Sequence, residues 1–129
     1  MAVGFPYTTG DVLTAADMNG LVAFSINAQT GTTYTPVIAD TYQVLITMNN
    51  ASANTFKIPT SSTTNFSIGT VLTVLQLGAG ITTISAVTSG TTTILSAGAV
   101  PASPVLAQYK SAACIKTGTD SWIIVGAVA

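Results

Sequence analysis

The chain has no arginine, no glutamate and no histidine in its 129 residues, and a single cysteine, Cys114. Without histidine, neither a Ser–His nor a Cys–His pair can be built. General bases shrink to Asp11, Asp17, Asp40 and Asp120, which are scattered along the sequence. The expectation is therefore no enzyme and no cofactor. A zinc site lacks ligands, and a calcium loop would need clustered carboxylates. One cysteine cannot close an internal disulfide. Cys114 lies between Ser111-Ala112-Ala113 and Ile115-Lys116, with nothing near in sequence to lower its pKa decisively, and reads as a buried, inert thiol.

Positive charge is equally scarce. Lys57, Lys110 and Lys116 are the only basic residues, and the pI is near 4.6, so nucleic acid has no footprint to bind. Long apolar runs are missing too. Mean hydropathy is +0.60, yet each apolar run is broken by Thr, Ser, Gly or Asn well short of the about 20 residues a spanning helix needs. One Trp, four Tyr and four Phe form no aromatic girdles of a membrane barrel. The start, Met1-Ala2-Val3-Gly4-Phe5-Pro6-Tyr7, lacks a basic region followed by an apolar one, so it is not read as a secretory signal. These features fit a protein made in a reducing cytoplasm, with no membrane partner.

What the chain does have is Ser and Thr, about a quarter of its residues, interleaved with Val, Ile and Leu. Residues 71–87 carry two such runs on either side of Gly78-Ala79-Gly80 and predict a β-hairpin. In the first run Val71, Leu75 and Leu77 point one way and Leu72 and Val74 the other, which predicts a strand covered on both faces. Further strands are expected at 42–49, 55–58, 91–95, 105–117 and 121–128, the last two paired across Gly118-Thr119-Asp120. Trp122 opens the final strand and reads as core rather than as a stacking platform. Phe66 reads as an inward anchor of a polar loop. Gly78-Ala79-Gly80 lacks the Lys-Ser/Thr of a phosphate loop and reads as a turn. No internal repeat stands out. The fold class expected is all-β: a small sandwich or barrel of short antiparallel strands, with an N-terminal arm containing one short helix.

The arm is residues 1–30 and the β-domain residues 31–129. Thr14 can cap a helix over 14–19, with Asp17 in its first turn and Gly20 to stop it. So short a helix does not persist alone and must dock. Phe5, Tyr7, Asp11, Val12, Leu13, Met18 and Leu21 are the candidate docking residues. A surface with so few charges favours association, and a homotrimer is expected.

Gly10-Asp11-Val12-Leu13-Thr14-Ala15-Ala16-Asp17-Met18-Asn19 resembles the N-terminal segment of tailed-bacteriophage minor tail and fibre proteins. Met48-Asn49-Asn50-Ala51-Ser52-Ala53-Asn54-Thr55, Ile58-Pro59, Ile68-Gly69-Thr70, Val74-Leu75-Gln76-Leu77-Gly78-Ala79-Gly80 and Lys116-Thr117-Gly118-Thr119-Asp120-Ser121-Trp122 resemble a β-module of the same phage proteins. The resemblance implies a virion structural protein, its partners being its own copies and the major capsid protein or tail proteins. A capsid decoration (cement) protein is favoured. The alternative is a short tail fibre or minor tail protein, with host polysaccharide as a possible ligand.

Overall fold

A computed structural model describes residues 24–129. The helix expected over 14–19 and all seven candidate docking residues lie outside them. Among the described residues ten strands form two sheets: β1 Ser25–Gln29, β2 Thr33–Tyr34, β3 Val44–Met48, β4 Asn54–Ile58, β5 Val71–Gln76, β6 Thr82–Ala86, β7 Thr93–Ser96, β8 Val105–Leu106, β9 Ser111–Gly118 and β10 Ser121–Gly126. The larger sheet has the order β1-β3-β5-β9-β10-β7, the smaller β2-β4-β6-β8. The only helical element among the described residues is a 3-10 turn, Ile38–Thr41. β1 falls inside the stretch read as the arm and is an edge strand of the larger sheet.

The all-β, two-sheet character holds, but the antiparallel expectation does not. β1, β3 and β5 pair in parallel, as do β2, β4 and β6, and β7 lies parallel to β10. Up to β6 the chain alternates between the sheets, so three successive coils stack in register as in a parallel solenoid. β9 then closes antiparallel on β5, and β10 on β9.

Residues 71–87 are therefore not a hairpin. β5 and β6 belong to different sheets, and Gly78-Ala79-Gly80 is the corner between them. The reason lies one coil earlier. A Cβ on Gly78 would collide with the backbone of Asn50, and one on Gly80 with the backbone of Ser52. The glycines let one corner sit directly on another, and the stack is hydrogen-bonded. Gly80 N donates to Asn50 O (3.0 Å), and Asn50 Nδ2 donates to Thr30 O (2.9 Å) in the first corner. Gln76, fully buried, fills the corner: its Nε2 donates to Gly80 O and Thr82 Oγ1, and its Oε1 accepts from Gly78 N. Thr82 Oγ1 in turn donates to Asn54 Oδ1.

The core lies between the sheets. Ile46, Met48, Leu72, Val74, Cys114, Trp122 and Ile124 come from the larger sheet, and Phe56, Ile58, Ile84 and Leu106 from the smaller. At about 25 cal/mol per Å² of apolar surface, this burial is the main stabilising term. Phe66 reaches in from its loop and meets Trp122 edge-on at 5.6 Å, as expected of both. Cys114 is fully buried, and burial pushes its thiol up to about 12.

The terminal hairpin across Gly118-Thr119-Asp120 is present as β9 and β10, with a register shift at Ser121/Trp122. Residues 105–117 do not form one strand, because β8 belongs to the smaller sheet and β9 to the larger. The two-sided coverage expected of β5 is also corrected. Leu72, Val74 and Gln76 are buried, whereas Val71 is exposed and Thr73 and Leu75 are half-buried on the other face.

Candidate functional site

Cross-strand register decides what the outer faces carry. On the larger sheet one row runs Ile26–Leu45–Thr73–Ala113–Val125 across β1, β3, β5, β9 and β10. A second runs Val71–Ile115–Ile123–Leu95 across β5, β9, β10 and β7. Neither row contains a charge. Ile26 is 61% exposed, Leu95 57%, Val71 47% and Val125 45%, so among the described residues no element covers the face. This face is the candidate interaction surface of the domain.

The smaller sheet is the opposite. Its outward row is Thr33–Thr55–Thr83–Val105, with Lys57 beside Ser85 in the next row. Thr33 and Thr55 hydroxyls are 3.1 Å apart. The domain thus has one face rich in hydroxyls and one that is free of charge and richer in aliphatic side chains.

Three of the charged groups, Asp40, Lys116 and Asp120, hold the fold. Asp40, buried, accepts from Tyr34 Oη (2.6 Å) and the Val37 amide (2.9 Å) at Oδ2, and from Asn27 Nδ2 (2.8 Å) at Oδ1. Gln29 Nε2 donates to Asn27 Oδ1. This polar layer ties β1, β2 and the 3-10 turn of the first coil together. Burial, together with the bond to Asp40, pushes the Tyr34 hydroxyl up to about 12.

At the other pole Lys116 is buried, and its Nζ donates to Phe66 O (2.6 Å) and Ser61 Oγ (3.0 Å). Ser61 N donates to Asp120 Oδ1 (2.8 Å), and Ser61 Oγ bonds Thr119 O. Both residues belong to the 116–122 motif, which ties the 60–67 loop to the terminal hairpin. The 48–55 and 74–80 motifs likewise meet, as the stacked corners. Sequence reasoning found these pieces without showing that they touch.

Among the described residues, no three His, Cys, Asp or Glu side chains gather to hold a metal, and no helix is long and apolar enough to cross a membrane. Compared with protein-family models, curated proteins and solved structures, the chain gives no match.

Proposed function

We propose that this chain is a structural component of a tailed-phage virion, an oligomeric capsid decoration protein anchored by its N-terminal arm. The observation that carries the reading is the charge-free outer face of the six-stranded sheet. A dilute monomer gains nothing from such a face, whereas a symmetric assembly buries it. Six strands about 4.8 Å apart and about five residues long give a footprint of roughly 400 Å². That is about half of what one partner contributes to a stable interface. In this reading three copies associate through this face, and the arm docks the unit onto the particle. The phage assignment itself rests on the resemblance of the quoted motifs. A short tail fibre or minor tail protein is the second reading, favoured by the fibre-like decamer at residues 10–19.

Quantitative staining of purified particles separates the two: hundreds of copies per virion mean the head, a handful the tail. Absence from particles ends both readings.

A further inference from the structure

Exposed apolar side chains gather where β3 and β5 begin. A groove of about 570 Å³ opens there, between the 3-10 turn and residues 65–70. Ile38 and Tyr42 stand on one side of it and Ile68 and Val71 on the other. All four are exposed, Ile68 most of all at 67%. Apolar surface collected round a concavity is a seat for a second apolar segment.

The chain itself arrives at this rim. Ser25 N donates to Gln43 O (2.8 Å), and Gln43 lines the groove beside Tyr42. Phe24, 61% exposed, precedes that bond, so residues 1–23 join the domain at the edge of the groove. Leu21 is three residues back, within about 10 Å of chain. Residues 12–22 hold five large apolar side chains, Val12, Leu13, Met18, Leu21 and Val22, against one carboxylate, Asp17.

We propose that the apolar side chains of residues 12–22, Leu21 foremost, seat in this groove of their own copy. Lining and segment match in chemistry, and the covalent connection makes the match effective. A short tether holds a segment at millimolar effective concentration, so a contact of millimolar intrinsic affinity is already half occupied. A second copy would have to compete with that concentration from solution. Asn65, Ser67 and Thr70 line the same groove and offer partners for the backbone N–H and C=O groups that an entering segment brings. Val12, Leu13, Met18 and Leu21 are also the side chains read above as docking residues. With the arm as anchor, the groove holds that anchor until a particle competes for it; this consequence rests on the reading above, and the seating does not.

The test is a nuclear Overhauser experiment on the free full-length protein with labelled methyl groups. Expected are contacts from Leu21, or another methyl of residues 12–22, to the Tyr42 ring and to the Ile68 and Val71 methyls. Ile68→Asp should remove them, and so should Met18→Asp combined with Leu21→Asp. Ile68 is exposed, and the unshifted remainder of the spectrum verifies that the fold is kept. Absence of any contact between residues 12–22 and the groove in the parent protein overturns the proposal. Contacts that survive all of these substitutions overturn it as well. So do contacts found only between labelled and unlabelled copies in an isotope-filtered mixture, which make a second copy the occupant. Copy number per particle is not altered by any of these results, so the two readings fail separately.

Discussion

The ammonium of Lys116 donates to the carbonyl oxygen of Phe66 at 2.6 Å, inside the protein. One of three lysines in the chain thereby serves as a loop anchor, and the Phe66 ring is held edge-on against Trp122. Lys116→Met keeps most of the volume but leaves the Phe66 carbonyl without its donor. A buried acceptor left unsatisfied costs about 1–3 kcal/mol. The expected outcome is a melting temperature lower by roughly 5–10 °C, read by calorimetry.

Corner stacking makes a sharper case. Gly80→Ala places a methyl group into the Ser52 backbone, which cannot retreat without breaking the ladder between β4 and β6. A loss of about 3 kcal/mol or more is expected in urea unfolding. Gly31→Ala is the control: the nearest atom to its Cβ would be Thr33 O at 4.0 Å, so the change should be neutral or stabilise by under about 1 kcal/mol.

How much of this was legible in the sequence depends on whether partners are neighbours in the chain. The β9–β10 hairpin was, because Gly118-Thr119-Asp120 is both the turn and the whole connection. Trp122, Phe66 and Cys114 were, because large apolar or thiol groups in polar surroundings must go inward. The corner at Gly78-Ala79-Gly80 was not. Glycine serves a hairpin turn and a close backbone crossing equally well, and the atoms that decide between them belong to Asn50 and Ser52. The parallel register of Asn54–Ile58 on Thr82–Ala86 has the same origin, since few side chains repeat although the backbone path does. The charge-free outer face was half visible as the two-sided apolar pattern of β5. Its breadth emerged only when Ile115, Ile123 and Leu95 came into line with Val71, and Ile26 into the neighbouring row.

Alkaline stability follows from two groups. The folded protein raises the Cys114 thiol from 9.0 and the Tyr34 hydroxyl from 10.0, each to about 12. For groups raised on folding, the stabilisation is fully present below the unfolded value and is lost as pH climbs through the folded one. Unfolding free energy should therefore decline between about pH 9 and 12, starting with Cys114. Cys114→Ala should remove the part beginning near pH 9 and leave the part beginning near 10. A flat profile to pH 12 in the parent protein would contradict this.

The outer face gives a solution test. Leu95→Lys with Ile123→Lys puts two charges in one register row without touching the core. Light scattering should show the parent as an oligomer and the double variant as a smaller species with an unchanged far-ultraviolet spectrum.

The polar layer of Asn27, Tyr34 and Asp40 at the end of the first coil has a consequence for the order in which the protein assembles. In a stack of coils, each new coil gains its contacts only from the one already in place. The interior of this coil ends in satisfied hydrogen bonds rather than in apolar side chains. The expected order of folding starts at the local β9–β10 hairpin, adds β5 and reaches the first coil last. Tyr34, as a reporter of that final step, should become protected from solvent later than Trp122.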